Sequence, residues 1–384
     1  MKFAKSHRIA LTAVCAVIMS GTVMADVKIG INVPLTGFAA ADGKSALEGA
    51  KLAVAQANAK GGIKGEKVEL VIYDDQALPK EVVPLATKLI EKDKVVGVVG
   101  GSYSGPTRAA ASIFQAAQVP YVVAYAIHPE ITLAGDYMFR VSSMGEVQGR
   151  GGAKLVNTLD KKKVVLITVK NDFGQSLAAG FKDGAGKFGL NIVGEHEYSM
   201  PDRQFGALIA KVKEQAPEVI YASGYFFNAG PLVNQLRAAG VTATIIGQEG
   251  YDSDKFIEIA GPASEGVLVT TSLNRDSTSA ATKAFLSDFK KATSVGADMV
   301  AASTYTATQV LLEGLNKTGG KGGAALRDAI AAGTYDSAIG KLTFNDLHEV
   351  NKDIQVQVVK DKAFRQHSII SDAVLLAAPT KASK

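Results

Sequence analysis

The stretch Gly100-Gly101-Ser102-Tyr103-Ser104-Gly105-Pro106-Thr107 carries residue types suited to gripping a small anion. It follows a short β-branched run and precedes a helical pattern. Its backbone N–H groups and the Ser104 and Thr107 hydroxyls would therefore sit at the positive end of a helix and receive a carboxylate. Plain capping of that helix explains the same residues equally well. Gly37 to Ser45 looks like a phosphate loop, but five residues separate Gly37 from Gly43 where the nucleotide motif takes four. It reads instead as a strand-to-helix turn lining a cleft. Gly184 to Gly189 matches the dinucleotide fingerprint in letters, yet it closes a helix where the fingerprint must open one. Tyr103 stands where the serine of G-x-S-x-G belongs, so no nucleophile elbow is present. His128, His196, His348 and His367 are isolated, with no HExxH or i,i+4 pair. No metal, no cofactor and no catalytic set are expected.

These candidates need elements to hold them. Apolar runs and helical spacing predict strands over 27–33, 68–73, 95–99 and 120–124, with helices over 45–60, 82–91 and from Pro106 onward. The rhythm restarts with a helix over 147–159 and strands over 164–169, 192–198, 219–222 and 244–247, separated by helices over 177–188, 205–214 and 231–239. Alternation of this kind builds parallel sheets with right-handed crossovers, covered on both faces. Two such runs predict two doubly wound α/β lobes. After 266–269, helices over 280–291, 299–315 and 324–331 dominate, followed by strands over 341–344 and 354–359. They read as the chain crossing back to complete the first lobe and then the second. The expected limits are 26–143 plus 273–350 for the first lobe, 144–272 plus 351–376 for the second, and a loose tail over 377–384.

A length of 384 residues suits two domains, and 47% hydrophobic against 21% charged residues excludes a disordered chain. The absence of Trp excludes a sugar site built on stacked indoles. Lys2, Lys5 and Arg8, the apolar run 9–19 and Val23-Met24-Ala25 describe a secretory signal peptide over residues 1–25, cut before Asp26. An uncleaved anchor is the alternative, although the run is too short to span a bilayer comfortably. Cys15 is no lipoprotein cysteine, because Val14 precedes it where a small residue is wanted. Cleavage removes the single cysteine and three of the 42 basic residues, leaving a near-neutral balance against 37 acids. Without Lys/Arg blocks, such a surface is not built for nucleic acid.

Along essentially its whole mature length the chain resembles the branched-chain amino-acid (Leu/Ile/Val) binding proteins of bacterial ABC importers, which are type I periplasmic binding proteins. The resemblance rests on Ile29-Gly30, Pro34-Leu35-Thr36-Gly37, Asn58-Ala59-Lys60-Gly61-Gly62-Ile63-Lys64-Gly65, Tyr73-Asp74-Asp75, Pro129-Glu130-Ile131-Thr132, Phe173-Gly174, Ala238-Ala239-Gly240, Gln248-Glu249-Gly250 and 263–270, all in one order. It implies a Venus-flytrap fold, two lobes joined by a multi-strand hinge, in the periplasm. It also implies delivery to an ABC permease; a monomer is expected. By the same resemblance, Ser104 helps hold a ligand carboxylate, Tyr225 lines the second lobe's side of the cleft, Glu249 meets the ammonium, and Phe173 replaces a tyrosine facing the ligand.

The loop after the fourth strand departs from the family. In Tyr125-Ala126-Ile127, Ile127 stands at a threonine position and Tyr125 at a small one, while Asp42 stands where some relatives carry an aromatic residue. A lost hydroxyl contact to a buried charge costs about 1–3 kcal/mol, so the contacts or the ligand must differ. Glu249 argues for a cationic group, because an unpartnered buried acid is costly. Tyr103, Tyr125, Tyr225 and Phe226 argue for an aromatic or bulky apolar body, or else they are core packing. The preferred reading is capture of an amino acid, branched-chain or related. The alternatives are an aromatic or aliphatic carboxylate or a short amide on the same scaffold, and, in a different class, a secreted enzyme.

Overall fold

The computed structural model describes residues 26–381; the signal-peptide expectation over 1–25 and the last three residues of the tail lie outside them. The first half runs β1 (Val27–Val33), α1 (Ala40–Ala59), β2 (Val68–Asp74), α2 (Pro79–Glu91), β3 (Gly97–Gly100), α3 (Ser104–Ala116), β4 (Tyr121–Val123), α4 (Glu130–Leu133) and β5 (Met138–Arg140). These strands make a five-stranded parallel sheet in the order β2-β1-β3-β4-β5. Alternate residues feed opposite faces, as a period of two requires. Val99 and Val122 join one core, and Val98, Tyr121 and Val123 join another with α2 and α3.

The chain then forms α5 (Gly145–Thr158), β6 (Lys163–Val169), α6 (Asp172–Phe188), β7 (Asn191–Tyr198), α7 (Gly206–Gln215), β8 (Val219–Ala222), α8 (Phe226–Ala238), β9 (Thr244–Gly247), α9 (Asp254–Ala260) and β10 (Leu268–Thr271). Helices α5 and α6 cross closely: a Cβ on Gly149 would lie 2.3 Å from the Leu177 carbonyl oxygen, and one on Gly180 would lie 2.1 Å from that of Glu146. Only glycine leaves room for backbones that near. Next come α10 (Ala280–Ala292), α11 (Met299–Thr318), α12 (Gly323–Ala331), the antiparallel pair β11 (Thr334–Ser337) and β12 (Gly340–Thr343), then β13 (Ile354–Lys360) and β14 (Ala363–Ile370). The second sheet has the order β14-β13-β10-β9-β8-β6-β7, with β13 and β14 added antiparallel at one edge. Residues from Leu273 to Val350 pack on the first sheet, largely through α11 against α1.

Three differences from the sequence reading move functional residues. Helix α1 starts at Ala40 rather than at 45, placing Asp42 on its first turn. Helix α3 starts at Ser104, with Pro106 as its third residue, and α8 starts at Phe226, with Pro231 inside it. A proline in the first turn removes only an N–H that has no helical partner. The tail is also not loose as far as Lys381. Arg150 donates to the carbonyls of Leu375 and Ala377 at 2.7 and 2.8 Å, the Ala378 N–H donates to Asn351, Asn345 donates to the Pro379 carbonyl, and the Lys381 N–H donates to Asp346. Enough side chains reach this backbone to fix it, although its Ala/Lys/Ser composition gives no sign of that.

Asp298 caps α11 by accepting from the Ala301 N–H at 2.8 Å, and it accepts from the Ser45 hydroxyl of α1 at 2.6 Å. Burial pushes its carboxyl up to about 7 despite both bonds. A proton held more tightly in the native state stabilises folding at low pH, and that contribution disappears as pH rises through about 7. Relative to Asp298→Asn, the wild type should gain on the order of 2 kcal/mol between about pH 8 and about pH 5. Urea midpoints of the two proteins read this directly, and a constant difference across that range contradicts it.

Candidate functional site

Open α/β sheets bind ligands at the strand ends where the strand order reverses. The first sheet reverses between β1 and β3, and the second between β6 and β8. Asp42 follows β1 and Ser102, Tyr103 and Ser104 follow β3; Phe173 follows β6 and Tyr225 follows β8. The two switch points face each other. Ring centroids of Tyr103 and Tyr225 stand 4.7 Å apart across the cleft, those of Phe38 and Phe227 5.3 Å, and Arg108 meets Asp172 at 3.2 Å.

Between them lies a narrow, partly enclosed cavity. The first sheet's side contributes Asp42, Tyr103, Ser104 and Tyr125, with Met299 and Val300 from the start of α11; the other side contributes Phe173, Tyr225, Glu249 and Asp252. Of the residues singled out from sequence, Thr107, Ala126 and Ile127 do not line it. The Thr107 hydroxyl donates back to the Tyr103 carbonyl, four residues earlier, at 2.8 Å, which keeps it from a ligand. Ala126 offers its carbonyl to Arg140. The Ile127 side chain packs into the second sheet's core beside Met144 and Phe173, and its N–H donates to Ser104 Oγ at 3.2 Å. Ser104 thus accepts from the loop, and its own proton is left to donate into the cavity.

Tyr225 is fixed from three sides. Its N–H donates to Asn228 Oδ1 at 2.8 Å, its hydroxyl accepts from Asn171 at 3.2 Å, and its ring stacks on Phe173 at 4.9 Å. Phe226 points away into the second core. Glu249 is 3% exposed, with Oε1 accepting from Ser272 at 2.5 Å and Oε2 from Gln148 at 3.0 Å. Burial raises its pKa, while those two bonds and the nearby Lys352 charge oppose the rise. The Lys352 ammonium is itself buried without a hydrogen bond, and burial pushes it down to about 8. Asp252 is compensated by Arg275, Thr271 and Gln357. Among the described residues, the cavity walls therefore hold three carboxylates and no basic side chain.

A family model described as periplasmic binding protein matches residues 26–363. The chain belongs to the periplasmic binding protein family. It is 30% identical over 323 residues to the Leu/Ile/Val-binding protein of Escherichia coli K12, covering 84% of this chain and 87% of that one. Its fold matches the branched-chain amino acid transporter substrate-binding protein of Streptococcus pneumoniae in complex with isoleucine (TM-score 0.84, 27% identity, 90% of this chain and 99% of that one). It also matches an ABC-transporter solute-binding protein of Rhodopseudomonas palustris BisB5 in complex with 3,4-dihydroxybenzoic acid (TM-score 0.82, 25% identity, 91% and 98%). The fold is the two-lobed type I arrangement.

In this periplasmic binding protein, sequence reasoning missed what holds the binding loop. Arg140, at the end of β5, is fully buried and pairs with Glu349 at 2.6 Å. It also donates to the carbonyls of Ala126 and His128 at 3.0 and 2.9 Å. Thr132 closes the network on Glu349 at 2.5 Å. One signal was available: a lone arginine inside the apolar run Tyr137–Val141 must find a buried partner. Gln148, Ser272 and Lys352, which surround Glu249, carry no comparable mark in the sequence.

Proposed function

We propose that this protein is the substrate-binding component of an ABC importer, capturing a free amino acid between its lobes in the periplasm and handing it to a membrane permease as a single copy. The lobes are taken as 26–143 plus 273–350 and 144–272 plus 351–376, in keeping with the two sheets and the cores packed on them. The observation carrying the reading is the pairing of unlike groups across one cavity. Ser104, at the N-terminal end of α3, offers a hydroxyl donor and a helix dipole to a carboxylate. Glu249, on the opposite wall, offers a buried carboxylate to an ammonium. A ligand touching both lobes stabilises their closed arrangement by its differential affinity. The protein does no chemistry on what it carries.

An aromatic carboxylate is the second reading, favoured by the rings of Tyr103, Phe173 and Tyr225 and by the dihydroxybenzoate carried by one related structure. It is disfavoured by walls rich in carboxylates and bare of cations, where an extra anion is repelled. Thermal unfolding with each amino acid and with benzoates separates the two. A ligand at 100 times its Kd adds about 2.7 kcal/mol of stability. An amino acid giving such a shift supports the first reading; shifts from benzoates alone install the second.

A further inference from the structure

The end of the cavity built by α1 and the β4 loop is polar in a way that the Ser104–Glu249 pairing does not use. Asp42 is 7% exposed, lines the cavity and takes a single side-chain hydrogen bond, from the Tyr103 hydroxyl to Oδ2 at 2.6 Å. No basic side chain lies within ion-pair distance of it among the described residues. The Tyr125 hydroxyl, on a side chain also 7% exposed, is buried at the same cavity with no hydrogen-bond partner among the described residues. Resting on the amino-acid reading, we propose that Asp42 and Tyr125 form a side-chain recognition end that selects an amino acid bearing a hydrogen-bond donor on its side chain, a hydroxyl or amide, over one with a branched aliphatic side chain.

The argument is one of unmade bonds. Asp42 accepts, and Tyr125 both donates and accepts, so a hydroxyl or a primary amide placed between them satisfies both. A leucine or valine side chain there would displace water from the carboxylate and the phenol and return nothing. Each buried polar group left unpaired costs a factor of roughly 5 to 150 in affinity. Discrimination is strong where a site built for a hydrogen bond meets an analogue lacking it, far stronger than hydrophobic pockets achieve by size. Burial holds the Asp42 carboxyl at about 6, so it remains mostly an acceptor at neutral pH.

Calorimetry on the full mature protein with L-serine, L-asparagine, L-leucine and 3,4-dihydroxybenzoate tests this. Serine or asparagine should bind at least about 10-fold more tightly than leucine. In Tyr125→Phe, which removes one oxygen atom, and in Asp42→Ala, the ratio of polar to leucine affinity should fall towards one. Should Asp42→Ala fail to fold, Tyr125→Phe still reads the ratio. Leucine binding as tightly as the polar amino acids overturns the proposal, as does an unchanged ratio in Tyr125→Phe. If no amino acid binds but dihydroxybenzoate does, the amino-acid reading itself has failed and this selectivity falls with it.

Discussion

Replacing Glu349 by Gln should cost the folded protein about 3–5 kcal/mol, because it strips the counter-charge from a guanidinium that has no access to water. Arg140 and Glu349 have side-chain exposures of 0% and 1%, and Arg140 Nε and Nη2 both donate to the carboxylate. Glutamine keeps the shape and one acceptor but leaves the positive charge uncompensated. The lowered urea midpoint, with an unchanged denaturant slope, measures the loss; a change below about 1 kcal/mol would show that water reaches the site. Affinity should fall as well, since Arg140 grips the carbonyls of Ala126 and His128 on either side of Ile127. The double replacement Arg140→Met, Glu349→Leu separates the effects. Apolar residues of similar volume remove the lone charge and should restore part of the stability, offset by the Ala126 and His128 carbonyls left without their donor, while the loop beside Tyr125 stays unanchored and affinity stays low.

Glu249→Gln should weaken amino-acid binding by about 2–5 kcal/mol, roughly 30- to 5000-fold, because a desolvated ammonium would lose its charged partner. The same change should leave the ligand-free protein as stable as before, or more so, at neutral pH. The sign follows from burial, which raises the Glu249 pKa. Its stabilising contribution is present in acid and lost as pH rises through the raised pKa, so at neutral pH the carboxylate is a burden on folding. Release of the nearby Lys352 from the opposing Glu249 charge limits the gain. Affinity for an amino acid should also decline as pH falls through the Glu249 pKa, since the protonated acid no longer attracts an ammonium. Calorimetry and urea melts on the two proteins check the opposite signs. Loss of both binding and stability would mean that Glu249 is a structural residue.

Much of this was legible in the sequence, for physical reasons. Strands such as Val27–Val33 and Lys163–Val169 are buried on both faces and so appear as continuous apolar runs. Helix starts were not legible at the cleft. The residues preceding α1, α3 and α8 are Ala39, Tyr103 and Tyr225, none of them a usual capping type. Prolines 106 and 231 drew the eye past the true starts, and the cleft lies at these very ends. Strand β14 escaped because it is an exposed, polar edge strand, and β5 because it is three residues long. Ser104 was legible from its place between a strand end and a helix start, whereas Tyr225 and Glu249 were found through their resemblance to family positions. The Arg140–Glu349 pair joins residues 209 apart in the chain, and no local pattern announces such a partnership.

The last stretch of backbone, fastened by Arg150 on one side and by Asn345 and Asp346 on the other, ties together segments that pack on different sheets. A reporter or purification handle grafted onto this end would pull on both segments, whereas one grafted ahead of Val27 would adjoin a strand of the first sheet. Sensor designs that read clamshell motion should therefore carry their cargo at the front of the molecule.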